Sequence, residues 1–225
     1  MDGLSVSGWV IAHPSNLFDV LGFEEGVHYE VVVTTFNEDG SPHASAMGCR
    51  VVSRSLAFLL KPHVESQTAR NILRTGRGAV NIASPEYIVE AALDLSVVPM
   101  SFGLGEVLGV PVLCEASAVS EFLVDEVVRG DVWLQVRASP QSLKYRPAPA
   151  RPYSRSAALL VEAAVRLSRV EPFLGMNRRD EALRLLSEAR VFIEDSARLA
   201  GGGRLGQLVG AVRERLYSLE RKIPP

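Results

Sequence analysis

The apolar residues of this 225-residue chain follow two different patterns along its length. Before about residue 140 they form short runs of β-branched and aromatic residues, separated by clusters of turn-forming residues. Such runs are typical of strands, whereas the recurrence every three or four positions beyond residue 155 is typical of amphipathic helices. The sequence therefore predicts a mainly β region followed by a mainly α region.

The β region begins with a meander of three strands joined by tight turns. Its first turn, Asn-Glu-Asp-Gly at 37–40, has the residues that hairpin turns favour. Ser66 is a suitable N-cap for the helix that follows the meander. The predicted order is strands at 29–36, 44–52 and 56–60 with a second turn at 53–55, a helix at 66–74, a strand at 78–82, a helix at 85–93, and strands at 107–115 and 132–138. Residues 116–124 are either a strand or an extended loop, and this number of hairpin-connected strands favours a small β-barrel.

A proline-rich, basic segment at 146–155 separates the two regions. Beyond it the apolar spacing predicts a helix at 156–170, a second helix capped by Asn177, and a third helix after Gly201–Gly203. We therefore expect two domains, a barrel over 1–145 and a three-helix domain over 146–225.

Composition and charge narrow the class of protein. The chain has 24 basic and 26 acidic residues, a net charge of -2, which argues against a nucleic-acid binder held by electrostatics. It has no apolar run of membrane-spanning length and no signal peptide, so we expect a cytoplasmic protein without a membrane partner. Its four histidines and two cysteines, Cys49 and Cys114, have no metal-ligand spacing. We interpret the histidines as solvated loop residues and Cys49 as a small buried residue without a redox role.

Residues 44–48, Ala-Ser-Ala-Met-Gly, have an unusual composition for a strand. Strands prefer bulky β-branched and aromatic residues, and an interior glycine often marks a close approach of another group to the backbone. The approaching group is either a flat ligand, a crossing strand or a dimer partner. The residues alone leave these alternatives open.

Four segments carry a resemblance to a known family: YEVVVTTFNEDGSPHASAMGCR, SQTARNI, GRGAVNI and RPYSRSAALLVEA. The first two-thirds of the chain resembles the FMN-binding split barrel of pyridoxamine-phosphate oxidases and flavin reductases. The four segments together resemble an archaeal family of uncharacterised proteins, domain of unknown function 447. This resemblance implies a mainly β plus α fold, with an FMN-binding split β-barrel followed by a small helical domain. It also implies a homodimer with the flavin site at the interface.

The resemblance also implies a set of flavin-binding residues. They are Ser45, Ala46, Met47, Gly48, Arg50, Ser66, Gln67, Thr68 and Asn71. Small residues allow a planar ring to approach a strand, and the guanidinium fork of Arg50 suits a phosphate. A helix that begins near Ser66 offers free N–H groups and a positive dipole end to the same phosphate. Asn71, one turn further along, is placed near the ribityl chain or the ring.

Each of these assignments has an alternative. The oxidases carry basic residues where Gln67 and Thr68 stand here, so Arg70 or Lys61 would have to replace their charge. Ser66 and Thr68 are equally useful as helix caps without a ligand. Arg50 is otherwise an exposed strand residue, and Asn71 a surface residue of the helix.

The implied function is an FMN-dependent oxidoreductase or flavin reductase that acts on an unknown small-molecule substrate. No residue stands out as an acid or base, which suits a reaction carried out by the flavin itself. One alternative is a non-catalytic protein that binds or stores FMN or serves in interactions. Another is a barrel that holds a different cofactor, such as deazaflavin or haem.

Overall fold

The computed structural model describes residues 8–52, 56–147 and 152–223. These residues form two compact units. The first contains the residues up to 84 and those from 100 to 147, and the second contains 85–99 and the residues from 152 onwards. The second unit thus includes the helix at 85–93, which lies inside the range predicted for the barrel domain.

The first unit is a closed antiparallel barrel with additional strands. Six strands close it in the order β2, β3, β4, β9, β8, β5 and back to β2, while β10 and then β1 extend the sheet from β8. The strands are β1 (Val10–Ala12), β2 (Tyr29–Phe36), β3 (Pro42–Val52), β4 (Ala57–Leu60), β5 (Arg77–Ile82), β6 (Phe102–Leu104), β7 (Pro111–Leu113), β8 (Ala118–Arg129), β9 (Leu134–Pro140) and β10 (Leu143–Tyr145). The β-barrel predicted from the sequence is therefore confirmed.

The barrel interior is filled by alternate residues of each strand, as the pleat of a strand requires. On β3 these inward residues are Met47, Cys49 and Val51, which belong to one buried cluster. Two short helices, α1 (Leu17–Leu21) and α2 (Gln67–Thr75), pack apolar side chains against the same cluster.

The hairpin of β6 and β7 packs on the outside of β2 and β5. It is held there by buried polar residues. The Thr34 hydroxyl donates to the Pro111 carbonyl at 2.5 Å, and the Asn81 side-chain oxygen accepts the Leu113 N–H at 2.8 Å. The buried carboxylate of Glu121 accepts backbone N–H groups from the turn between the two strands, at residues 107 and 108.

The second unit is helical. Its helices are α3 (Pro85–Leu93), α4 (Arg155–Gly175), α5 (Arg179–Leu199) and α6 (Arg204–Arg221), and their apolar faces form one buried cluster. Within it, Glu90 is buried and accepts the N–H groups of Ser96, Val97 and Val98, which fixes the loop after α3. None of the described helices has a stretch long and apolar enough to cross a membrane.

Most of the predicted elements occur close to their predicted positions. The helix at 85–93 has the predicted ends, and the Ser66 hydroxyl caps α2 by accepting the Ala69 N–H at 3.1 Å. The turn at 37–40 is also confirmed, with Gly40 in the left-handed region at a φ of 82°. The predicted turn at 53–55 and residues 148–151 of the proline-rich segment lie outside the described residues.

Other predicted boundaries are wrong. The strand predicted at 107–115 is only the three-residue β7, because the residues before it form the turn held by Glu121. Residues 118–124 of the segment left open between strand and extended loop belong to the twelve-residue strand β8, so the strand alternative is confirmed for them. Asn177 does not cap α5, since it lies in the left-handed region at a φ of 60° and Arg178 takes the N-cap position.

Candidate functional site

The strand β3 directs the predicted flavin-binding residues to two opposite faces. Met47 is 7% exposed and its side chain lies in the barrel core, whereas Gly48 on the other face is exposed. Ala46 and Arg50 share the outward face with Gly48, because side chains alternate along a strand. The prediction that four consecutive small side chains make room for a ring is therefore wrong for Met47, which can offer a ligand only its backbone.

Gly48 leaves open space on the outward face. A Cβ built on it would have one neighbour within 4 Å, the Glu30 carboxylate oxygen at 3.9 Å, and its backbone has no positive φ. Neither backbone conformation nor close packing within the described residues therefore requires a glycine here. No strand formed by the described residues crosses at Gly48, and a ligand and a dimer partner remain as explanations.

One edge of β3 is also open. β3 pairs with β2 along residues 42–49, but β4 pairs with it only from Cys49 to Val52. Among the described residues, no strand therefore pairs with the β4-side edge of β3 over residues 42–48. Backbone N–H and C=O groups on an unpaired edge need partners from water or a ligand. We call the outward surface of Ala46 and Gly48, together with this edge, the ledge.

The first turn of α2 lies at one end of the ledge. The Thr68 hydroxyl is buried and lies 2.7 Å from the Ser45 hydroxyl and 3.1 Å from His43 Nε2. Among the described residues, the backbone N–H groups of Gln67 and Thr68 have no acceptor. Free N–H groups at a helix start are suited to binding an anion.

Asn71 is a buried connector and not a surface residue of α2. Its amide nitrogen donates to Thr35 Oγ1 at 2.9 Å and to Asn37 Oδ1 at 3.0 Å. Its oxygen accepts a hydrogen bond from Gln67 Nε2 at 2.9 Å. Asn71 thus joins α2 to the end of β2 and to the hairpin turn, which sequence spacing did not indicate.

The two residues suggested as replacements for the missing loop charges differ in their contacts. Arg70 donates to the Glu65 carbonyl at 2.5 Å and to Gln67 Oε1 at 2.7 Å, so its guanidinium is engaged within its own loop. Lys61 is exposed, and it forms no ion pair or side-chain hydrogen bond with another described residue. Of the two, Lys61 is the one available to a ligand.

The structure separates the two groups that were predicted to bind one phosphate. Ser45 contacts the start of α2, whereas Arg50 lies five residues further along β3, about 17 Å away at ~3.4 Å per residue. Ser45 and Arg50 thus stand at opposite ends of this segment of β3, and the joint binding of one phosphate by Arg50 and the Ser66–Thr68 turn stays a prediction. The ledge lies between these two positively polarised ends.

Arg50 itself is half-buried, and its Nε is buried without a hydrogen-bond partner. It pairs with Leu59 on β4, and Leu59 in turn pairs with Arg137 on β9. Sequence reasoning missed Arg137, because the register that brings β9 next to β4 joins residues far apart along the chain.

His63 and Trp133 were also missed. Their bridge continues the register of β4 and β9, and their rings meet edge to face at 5.5 Å between centroids. His63 Nδ1 accepts the Glu65 N–H at 3.2 Å, while its Nε2 is buried without a partner. His63 is therefore a structured residue and not the solvated loop residue that was predicted.

Cys49, on the inward face of β3, is fully buried. Burial, and secondarily the charge of Glu30, raises the pKa of its thiol to about 12. A thiol that stays protonated at neutral pH is a poor nucleophile. The interpretation of Cys49 as a small core residue is confirmed.

Comparison with known proteins gives one family match. A family model described as "Protein of unknown function (DUF447) N-terminal domain" matches residues 29–146, more than half of the 225-residue chain. This match agrees with the resemblance carried by the sequence segments. No protein of curated function matches the sequence.

Solved structures with a similar fold include several flavoproteins. An FMN-bound protein of the DUF447 family from Methanosarcina mazei superposes with a TM-score of 0.68 at 20% identity, over 88% of this chain and 99% of that chain. Flavoredoxin of Desulfovibrio vulgaris gives 0.48 at 16% identity, over 58% and 78% of the two chains. The styrene monooxygenase flavin reductase of Pseudomonas putida S12 gives 0.45 at 16% identity, over 55% and 93%. The first of these confirms the predicted fold, a split barrel with a helical part.

Proposed function

We propose that this chain, which belongs to the DUF447 family, is an FMN-binding flavoprotein and an oxidoreductase for a small-molecule substrate. The observation that carries the proposal is the ledge, where one edge of β3 is unpaired beside a glycine that the fold does not require. The FMN-bound relative with the same fold supports FMN as the ligand.

The chemistry of the ledge fits the parts of FMN. The phosphate lies at the first turn of α2, where the N–H groups of Gln67 and Thr68 are free and Ser66 caps the helix. The hydroxyls of Ser45 and Thr68 lie at the same end. Asn71 positions this turn through its hydrogen bond from Gln67 and does not touch the ligand in our assignment.

The flat ring lies on the outward face of Ala46 and Gly48, where side chains are small or absent. The open edge of β3, which includes the backbone of Met47, would offer N–H and C=O groups to the polar edge of the ring. Arg50 places a positive charge at the far end of the ledge, and charges next to a flavin tune its electronics. When bound, FMN supplies hydride or electron transfer, and the protein supplies binding and orientation.

Binding is tested with purified protein. We expect flavin absorbance in the preparation, or saturable FMN binding by calorimetry after flavin removal, and weaker binding when Gly48→Val fills the ledge. The matched control is Gly210→Val, at a glycine of α6 that has open space around it and no positive φ. A colourless protein that shows no FMN binding would overturn the proposal.

Turnover is tested on the FMN-loaded protein. We expect NADH or NADPH to bleach the flavin absorbance anaerobically and oxygen to restore it. Binding of FMN without reduction by either donor would instead favour the alternative of an FMN-binding or storage protein.

We also propose a homodimer, because the family resemblance implies a flavin site at a subunit interface. The open space at Gly48 is compatible with a partner subunit that covers the bound ring. Analytical ultracentrifugation checks this state, and a monomer at micromolar concentration that still binds FMN would contradict it.

A further inference from the structure

The geometry points to a second anion site on the outer face of the barrel, formed by Arg50, Arg137 and Lys61. We infer that it binds the phosphate or carboxylate group of a second ligand next to the flavin. This inference rests on the proposed FMN site, and it assigns Arg137 as a ligand-binding residue. We call the three cations, with Leu59 between them, the cation row.

The strand register brings the row together. Arg50 pairs with Leu59, and Leu59 pairs with Arg137, so the three residues lie side by side across β3, β4 and β9. Their neighbours Cys49, Phe58 and Val136 are buried in the core, which directs the row outwards. Strands lie about 4.8 Å apart, so the two arginine Cα atoms are ~10 Å apart and their side chains can converge above Leu59.

Lys61 extends the row. It follows Leu59 by two residues along the β4 direction, so strand alternation places it on the same outward face. The register of β4 and β9 persists beyond it, since His63 still pairs with Trp133. The row is therefore part of a regular sheet surface and not of an irregular loop.

The cations of the row lack side-chain partners among the residues that the structure describes. No side-chain hydrogen bond or ion pair joins Arg50, Lys61 or Arg137 to another described residue, and Arg50 Nε is buried without an acceptor. Glu126 lies opposite Arg137 on β8 but forms no ion pair with it. Like charges at this spacing repel, and a buried N–H without an acceptor is unfavourable.

A bound oxyanion would reduce the repulsion between the cations and would also provide the acceptor that Arg50 Nε lacks. A guanidinium donates two parallel hydrogen bonds to a phosphate or carboxylate, and two guanidiniums can converge on one such group. Arg50 Nε gains an acceptor in the same step.

The position of the row favours a second ligand over the FMN phosphate. Ser45, which contacts the first turn of α2, lies five residues from Arg50 along β3, about 17 Å at ~3.4 Å per residue, with the ledge between them. If the FMN phosphate occupies that turn, the row lies beside the ring end of the flavin. The substrate class is therefore a small molecule with a phosphate or carboxylate group.

The experiment titrates the FMN-loaded protein with inorganic phosphate at constant ionic strength, and follows the flavin absorbance and the heat of binding. We expect saturable binding that weakens at least tenfold in Arg137→Gln and in Arg50→Gln. Arg129→Gln is the matched control. Arg129 is an exposed arginine of β8 and pairs with Leu134 of β9, the strand that carries Arg137. The FMN affinity of Arg137→Gln should stay within about twofold of the unmodified protein.

Riboflavin distinguishes the two sources of phosphate. If Arg137→Gln and Arg50→Gln weaken FMN binding but leave riboflavin binding unchanged, the row holds the flavin's own phosphate and the second ligand is excluded. Equal phosphate binding by Arg137→Gln and the unmodified protein, with circular dichroism showing an intact fold, would also overturn the inference.

A protein that does not bind FMN would give a different set of results from a protein that lacks only the second anion site. If the protein binds no flavin but phosphate raises its melting temperature, and Arg137→Gln abolishes that rise while Arg129→Gln does not, the anion site stands without FMN. If neither flavin nor phosphate binds, both proposals are overturned.

Discussion

Two parts of the outer barrel surface differ in how their polar groups are hydrogen-bonded. The covered face, formed by β2, β5 and β8 under the β6–β7 hairpin, buries Thr34, Asn81 and Glu121 and provides each with hydrogen-bond partners. The open face, formed by β3, β4 and β9, has an unpaired strand edge, an exposed glycine and a buried guanidinium nitrogen without an acceptor.

The difference shows which surface is complete within the chain. Buried polar groups are tolerated when they are hydrogen-bonded, and the covered face meets that condition with its own backbone. The open face leaves donors and space unused in the same barrel. We interpret the first as a structural surface and the second as a ligand surface, and the following substitutions test that division.

The largest expected effect is on the covered face, from Asn81→Ala. Asn81 donates to the Val32 carbonyl and to Thr34 Oγ1, and it accepts the Leu113 N–H, all in a fully buried position. Removing the amide leaves these groups unsatisfied, so we expect a loss of about 3 kcal/mol in the free energy of unfolding. Urea denaturation measures it.

The control for Asn81→Ala is Gln135→Ala, an exposed position on the open face, which should change stability by less than about 0.5 kcal/mol. If the two variants were equally stable, the covered face would not depend on its polar contacts.

A smaller loss is expected from Gly78→Ala. A Cβ at Gly78 would lie 2.8 Å from the Thr34 carbonyl oxygen and 2.8 Å from Phe122 Cζ, on the interior side of the strands that form the covered face. Because a backbone oxygen cannot rotate away, we expect about 2 kcal/mol of destabilisation by overpacking. Thermal unfolding measures it, and an unchanged melting temperature would show that the barrel relaxes around the methyl group.

Gly48→Ala is the matching change on the open face, and it should separate binding from stability. Its Cβ meets only the Glu30 carboxylate oxygen at 3.9 Å, so we expect the free energy of unfolding to change by less than about 0.5 kcal/mol. The FMN affinity should fall about tenfold, or ~1.4 kcal/mol, because the methyl group occupies the ledge. Calorimetric titration with FMN measures the affinity, and unchanged binding would place the flavin elsewhere.

The smallest effect concerns the inward side of the same strand. Cys49 should remain unmodified by a thiol reagent in native protein at pH 8, while the exposed Cys114 reacts. We expect one modified thiol per chain before unfolding and two after it. Rapid modification of both thiols in native protein would contradict the burial of Cys49.

Cys49 also has a pH signature. Because its folded pKa is raised from 9.0 to about 12, its stabilising contribution is complete below pH 9 and is lost as the pH rises towards 12. The stability difference between the unmodified protein and Cys49→Ala should therefore shrink above pH 9, by about 1.4 kcal/mol per pH unit. A difference that is constant up to pH 11 would argue against the raised pKa.

Part of this architecture could be predicted because it depends on local rules. The turn at 37–40, the Ser66 cap and both ends of α3 each follow from a few neighbouring residues, and all three are confirmed. The family segments added the split-barrel type and FMN as the expected ligand. Asn177 was misassigned, since a capping residue type at the right spacing can also adopt the left-handed conformation that ends the preceding helix.

The candidate site was predicted less completely than the fold. The ledge strand and the first turn of α2 were proposed as the site from the sequence, because small residues and a helix cap are visible in it, and that assignment stays a prediction. Asn71 was predicted to reach the ribityl chain or the ring, with a surface position as the alternative, whereas its partners Thr35 and Asn37 bury it. Those partners lie more than thirty residues away, beyond the reach of periodicity.

The sequence by itself determined the elements, the barrel class and the family, because turns, caps and hydrophobic periods act over a few residues. Only the tertiary structure decided which residues of β3 face outwards, that Arg50 and the start of α2 lie at opposite ends of the ledge, and that Arg137 stands beside Arg50. These features depend on strand register and on burial by distant segments. Both are set by contacts between parts of the chain whose separation the local pattern does not encode.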